Sequence, residues 1–201
     1  MTIIISSNYK KHHKTYIDFV DHYWINYFKK KKISFYSIPN ISNYKINFIK
    51  NKIKLIILPG GNDLFSKDKL SKTRLRVEFN MIKYGIKKKI PILGICRGMQ
   101  IINFFFKGKQ NRISGHMRTK HNIFFKEKIF LKKTLNVNSF HNFGIPSKKL
   151  SNKLKTIAID KDNNVEIFKH RKKNIYGFMW HPERNNTYKE LNTIINKLKI
   201  K

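Results

Sequence analysis

Short unbroken apolar runs alternate along this chain with longer amphipathic stretches. TIIIS (2–6) reads as a buried first strand. Over 14–30, Tyr16, Phe19, Val20, Tyr23, Trp24, Tyr27 and Phe28 recur at three- and four-residue spacing, which predicts a helix. IKLIIL (53–58) is a second strand, ended by Pro-Gly-Gly. Residues 71–87 carry a helical period, and IPILGI (90–95) is another buried strand that runs directly into RGMQIINFFF (97–106), which has helix character. The second half is richer in strands: NIFFK (122–126), TLNVNSF (134–140), TIAID (156–160), VEIFKH (165–170) and IYGFMW (175–180). A lysine-studded amphipathic helix near 187–199 closes the chain. Alternation of strand and helix predicts an α/β fold, a mostly parallel sheet with crossover helices. No repeat, low-complexity linker or compositional break divides the 201 residues, so one domain over 1–201 is expected.

Composition narrows the setting. A hydrophobic content of 40% and an aromatic content of 13% oppose disorder in spite of a formal net charge of +33. One cysteine cannot form an internal disulfide. The N-terminal apolar run is too short for a secretory signal, and no apolar stretch approaches the roughly 18 residues of a membrane span. A soluble, cytoplasmic protein is therefore expected. The 44 Lys and Arg against 11 Asp and Glu would attract any polyanion. Yet the chain is also saturated with Asn, Ile and Phe, whose codons share the A/T richness of lysine's, and base-composition drift yields the same excess. Basic residues are spread over 29–32, 87–89, 132–133 and 171–173, with no single arm or tail. Nucleic acid is expected to bind only nonspecifically, while a positive field favours an anionic small-molecule substrate.

Candidate chemistry begins at Gly94-Ile95-Cys96-Arg97-Gly98. A strand entering a helix through G-x-C-x-G puts the cysteine at the tip of a sharp bend, beside the positive end of the helix, where a thiolate is favoured. The same pentapeptide serves equally well to seat a small buried residue. A nucleophilic thiol needs a base, and the base needs an orienter. Among eight histidines, His181 stands out, because it follows a buried strand and has Glu183 two residues on. A surface His-Pro-Glu turn is the plainer alternative. The Gly-Gly of ILPGGND (57–63) can turn backbone N–H groups outward as oxyanion donors with the amide of Arg97, or can be a turn and nothing more.

Taken in order and at these intervals, PGGND, GICRGMQ, VNSFHNFGI and GFMWHPE resemble the class I glutamine amidotransferase superfamily. The resemblance implies a three-layer, flavodoxin-like fold with a nucleophile elbow. By matching position it implies Cys96 as nucleophile, His181 as general base and acid, and Glu183 as its orienter. Gly61 and Arg97 would supply the oxyanion-hole amides. Gly60, Gln100, Ser139, Phe140 and His141 would line the γ-glutamyl pocket. No metal or organic cofactor is implied.

Within the superfamily, Arg after the cysteine and VNSFH are more similar to the stand-alone γ-glutamyl hydrolases than to subunits that feed ammonia to a synthetase. NSFHNFGI, AIDKDNNVEIFKH and IYGFMWHPER further resemble those hydrolases whose substrate is a nucleotide-linked γ-glutamyl amidate of surface-polysaccharide biosynthesis. Two departures count against a γ-glutamyl-γ-aminobutyrate substrate. TRLRVEF keeps Arg74 and Glu78 but has Leu75 where the branch has Asp, and the stretch after PGGND is short and lacks proline. His116, His121, His141 and His170 fit no usual metal-ligand spacing. His116 suits packing or capping better than leaving-group chemistry. The rival functions are a glutaminase that works only when docked to a synthetase and a basic nucleic-acid binder on the same fold. Oligomeric state is not legible.

Overall fold

The computed structural model describes residues 1–44, 46, 49, 52–64, 66, 68–127, 133–185 and 188–198. Its described strands are β1 (Thr2–Ser6), β2 (Asn8–His12), β3 (Thr15–Phe19), β4 (Ser34–Ile38), β5 (Ile53–Leu58), β6 (Ile92–Ile95), β7 (Asn111–Arg112), β8 (Met117–Phe125), β9 (Thr134–Phe140), β10 (Phe143–Gly144), β11 (Leu154–Ile159), β12 (Val165–His170) and β13 (Ile175–Phe178). The helices are α1 (His22–Lys30), α2 (Lys69–Lys88), α3 (Arg97–Phe105) and α4 (Lys189–Lys197).

Nine strands form one sheet in the order β4-β1-β5-β6-β13-β12-β11-β8-β9. The β4-β1-β5-β6-β13 half is parallel throughout, and the remaining strands extend it in antiparallel fashion. The parallel strands explain themselves by period-2 alternation between two buried faces. Ile3, Ile5, Leu55, Ile57, Leu93 and Ile95 pack towards α1 and α4, with Trp24, Phe28, Leu191 and Ile194. Ile4, Ile56, Leu58 and Ile92 pack towards α2 and α3, with Val77, Met81, Met99 and Ile102. The product is a three-layer α/β fold. No helix among the described residues is long and apolar enough to cross a membrane.

Local signals place the helices. Asp21 accepts from Tyr23 N to cap α1, and Asp68 accepts from Leu70 N to cap α2. Along α2 the buried residues Ser71, Arg74, Val77, Glu78, Met81, Ile82 and Gly85 follow the helical period. The first turns of that stripe are polar and the last are apolar, so the same face serves the site at one end and the core at the other.

The helix expected over 14–30 is corrected in its first part. Residues 8–19 form a β2–β3 hairpin closed by His13 and Lys14, and helix begins only at His22. The helical spacing of Tyr16, Phe19 and Tyr23 was coincidental, since these side chains are exposed. The hairpin is held by contacts distant in sequence. Tyr16 donates to Asp68, and Asp18 accepts from both the backbone and the side-chain amide of Asn40. Strand β4, short and at the sheet edge, had no strong apolar run to announce it. The closing helix, expected near 187–199, is Lys189–Lys197; residues 187 and 199 lie outside the described residues.

Candidate active site

The site is built where β5, β6 and β13 end side by side. Strand β6 stops at Ile95, and α3 starts at Arg97, so Cys96 alone makes the turn, with φ 49° and ψ −108°. A residue with a side chain occupies this region only at a cost, and here the surrounding hydrogen bonds hold it there. Cys96 N donates to Phe178 O at 2.7 Å, and Gln100 N to Cys96 O at 3.1 Å. Close packing demands the two flanking glycines. A Cβ on Gly98 would lie 1.9 Å from Leu58 O, and one on Gly94 would lie 2.6 Å from Gly98 O. The thiol is free and buried, at the N-terminus of α3.

His181 follows β13 and Glu183 sits in the short helical turn Pro182–Arg184. His181 Nδ1 lies 2.6 Å from Glu183 Oε1, with the two side chains 5% and 2% exposed. This is a buried, charge-assisted pair. Burial alone would push the His181 pKa down. The opposing charges of Glu183 and of the Cys96 sulfur, with hydrogen bonds to both, carry it up to about 10. The imidazole and the sulfur converge on Gly60: a Cβ there would lie 2.5 Å from His181 Cε1 and 3.4 Å from Cys96 Cβ.

Gly61 adopts φ +123°, and a Cβ would lie 2.0 Å from Asn8 Oδ1, so the loop after β5 approaches the site as backbone only. Arg97 N belongs to the first turn of α3, whose N–H groups no helical carbonyl reaches. The Arg97 side chain points away from the site. Its Nη1 contacts both oxygens of Glu78, at 2.8 and 2.6 Å, and Arg74 Nε donates to Glu78 Oε1 at 3.0 Å. Arg74 also donates to Gly60 O at 3.3 Å and to Asn62 Oδ1 at 3.0 Å. This buried triad therefore ties the glycine loop to the residue after the cysteine. Burial pushes the Glu78 carboxyl up, but the two guanidiniums hold it below its ordinary range.

The remaining sequence candidates fall around this centre. Gln100 is buried, and its Nε2 donates to Phe143 O at 3.0 Å. Ser139 is fully buried on β9, with Oγ donating to His116 O at 2.7 Å, so its side chain is already engaged. The Phe140 ring lies 5.9 Å from that of His181, edge to face. His141 is buried, with Nδ1 donating to Phe143 O at 3.0 Å, and burial lowers its pKa to about 3, leaving it neutral. His116, His121 and His141 cluster, whereas His170 sits elsewhere, accepting from Lys172 N and Lys173 N.

Three contributors carry no signal that sequence reasoning reads. Asn138 clamps the His181 backbone, donating to its carbonyl and accepting from its N–H, each at 2.9 Å. Asn62 accepts from Tyr9 N and donates to Tyr9 O, which fixes the glycine loop to β2. Arg184 stacks over Phe140, 4.6 Å from the ring centroid, and lies 3.7 Å from Asp21. A cavity of about 170 Å³, lined by Asn8, Asp21, Gly60, Gly61, His181 and Arg184, opens on the site. A cleft of about 380 Å³ lies on the other flank of His181, with Lys120, Asn138 and Arg184 among its walls.

Comparison with known proteins agrees with this geometry. A model of the family described as Peptidase C26 matches residues 3–183. A gamma-glutamyl-CDP-amidate hydrolase from Campylobacter jejuni is 43% identical over 148 residues, 72% of this chain and 70% of that one. The glutamine-hydrolyzing subunit of a GMP synthase from Methanococcus aeolicus is 31% identical over 153 residues, 74% of each chain. Among solved structures, a GMP synthase subunit from Thermoplasma acidophilum superposes with a TM-score of 0.74, covering 99% of this chain and 94% of that one at 19% identity.

Proposed function

This chain belongs to the peptidase C26 family, and from that premise we propose that it is a cysteine-dependent hydrolase releasing glutamate from a γ-glutamyl amide. The observation that carries the proposal is the buried His181–Glu183 pair at 2.6 Å, packed with Cys96 against the same glycine. The Cys96 thiolate attacks the γ-carbonyl, and the oxyanion is held by the amides of Gly61 and Arg97. Protonated His181 delivers its proton to the departing nitrogen, breaking the C–N bond and leaving a thioester. Neutral His181 then takes a proton from water as the hydroxide attacks, and glutamate leaves as the thiolate is restored. Glu183 holds the imidazole in place and stabilises its cationic form throughout. Gly60, Gln100, Ser139, Phe140 and His141 shape the glutamyl pocket in this reading.

The leaving group we assign is a nucleotide-linked amidate, as in the printed name of the Campylobacter relative, and the setting is surface-polysaccharide biosynthesis. Two features support an anionic leaving group: the net charge of +33 and the position of Arg184 between the two cavities. A cytoplasmic location belongs to the same reading, because a nucleophilic thiol works only where it stays reduced. The test is glutamate release by the purified chain from a panel of γ-glutamyl amides, with γ-glutamyl-CDP-amidate expected to show the highest kcat/KM. Cys96→Ser with near-normal turnover would sink the mechanism.

The likeness to GMP synthase subunits favours one second reading, a glutaminase that needs a docked synthetase. It expects negligible turnover of every amide by the chain alone.

A further inference from the structure

We propose that His116, His121 and Glu166 form a site for a zinc-like divalent cation, separate from the Cys96–His181–Glu183 centre. One donor atom from each lies within 4.8 Å of the others. Two imidazoles and a carboxylate, with a fourth position left for water, are a donor set that Zn(II) takes. In such a site donors are about 3.3 Å apart, so each needs to move by about 1 Å or less to close on the ion.

The observation that points to a ligand is Glu166. It is 0% exposed, and neither carboxylate oxygen has a hydrogen-bond partner among the described residues. Both ring nitrogens of His121 are likewise without a hydrogen bond, and its Nε2 stands 3.5 Å from Glu166 Oε1. A carboxylate removed from water needs a compensating charge or donor. Without one it is driven towards protonation, and burial does push the Glu166 pKa up. A divalent cation supplies the missing charge to the carboxylate and takes up the free lone pair of His121.

A second grouping, His116 with Asp160 and Asp162, is geometrically open but chemically spent. Asp160 Oδ1 already accepts from Asp162 N and Asn164 N, and Oδ2 accepts from Asn164 Nδ2, all at 2.8 Å. Asp160 stands 3.5 Å from His116 Nε2 and is placed to orient that ring. Access is from the His121 edge, where the side chain is 16% exposed.

The consequence is positional. His116 O accepts from Ser139 Oγ at 2.7 Å and from His141 N at 3.2 Å. An ion tying the His116 side chain to β12 therefore holds the β9 segment that carries Ser139, Phe140 and His141. Spacing along the chain hides the site, because Glu166 arrives from a strand 45 residues beyond His121.

The test uses the full chain, stripped with a chelator and titrated with Co(II) alone, then with Zn(II) alone. One Co(II) per chain is expected, with the visible d–d bands of a four-coordinate nitrogen–oxygen site and no thiolate charge-transfer band. Zn(II) should displace it and raise the melting midpoint. His121→Ala and Glu166→Gln should each weaken Co(II) binding by more than about tenfold, since losing a ligand exceeds the loss of an outer partner. His12 and His13, whose rings lie 4.3 Å apart on the β2–β3 hairpin, are the nearest rival pair, and the His12→Ala/His13→Ala variant should bind as before. No saturable uptake by the wild-type chain, uptake unchanged by both ligand substitutions, or a thiolate band would each overturn the proposal.

Discussion

Alanine at position 60 would place a methyl group 2.5 Å from Cε1 and 3.2 Å from Nε2 of His181, and 3.4 Å from Cβ of Cys96. Carbon contacts settle at about 3.5–4.0 Å, so the imidazole must retreat by about 1 Å. A displacement of about 1 Å in a catalytic group costs on the order of 100-fold in rate, or about 2.7 kcal/mol in the barrier. The cost falls on the geometry of attack and proton delivery, so it should appear in kcat, with KM little changed. Stability should not follow. The φ of Gly60 lies outside the left-handed region, and a Gly→Ala change at a compatible position contributes about 0.4–1 kcal/mol through the unfolded chain. Against that stands some strain in the His181–Glu183 pair, which leaves the melting midpoint within a few degrees of wild type. The assay is steady-state glutamate release beside a thermal melt of the same sample. A Gly60→Ala enzyme with unchanged kcat would refute the convergence of His181 and Cys96 on this glycine.

Four further outcomes are expected. Glu78→Gln leaves two buried guanidiniums without their counter-charge; it should cost about 3–5 kcal/mol, read as a drop of at least about 6 °C in the melting midpoint. Because the Glu78 pKa is held down in the fold, its contribution is present above the ordinary 4.5 and lost as pH falls below it, so the gap between wild type and variant should close in acid. For His181 the sign is reversed: its raised pKa contributes stability in full below 6.5 and loses it as pH climbs to about 10, and Glu183→Gln should flatten that decline in melts taken across the range. Asn138→Ala removes both clamps on the His181 backbone and should lower kcat at near-constant KM, with Asn138→Asp recovering only the contact in which the side chain accepts. Gly98→Ala would set a Cβ 1.9 Å from a backbone oxygen of β5 and should yield no folded protein by circular dichroism.

How much of this was legible beforehand depended on where the information lay. Strands whose burial comes from their own composition were readable to within a residue or two. IKLIIL, TLNVNSF and VEIFKH became β5, β9 and β12 with the expected ends. The first part of 14–30 misled because aromatic residues at three- and four-residue spacing suit a helix as well as a hairpin. The choice between them fell to Asp68 and Asn40, which lie far away in the chain. In the site, Cys96, His181 and Glu183 were visible because each sits at a strand end with local punctuation around it. Arg184, Asn62 and Asn138 were not, since a single polar residue in a loop or strand carries no period and announces no partner.

From the sequence alone came the alternation of strand and helix, the turn that needs small residues on both sides of Cys96, and the short His-Pro-Glu step that joins base to orienter. These are properties of neighbours along the chain, and local sterics and burial suffice to set them. Only the tertiary structure decided that Arg74 and Arg97 would share Glu78, that Gly60 would have an imidazole and a sulfur against it, and that Glu166 would be buried facing two histidines. Such contacts join residues from different strands and helices, and their distances follow from how the layers pack. The elbow around Cys96 is written in five consecutive residues; the environment that makes its sulfur a nucleophile is assembled from β5, α2 and the loop after β13.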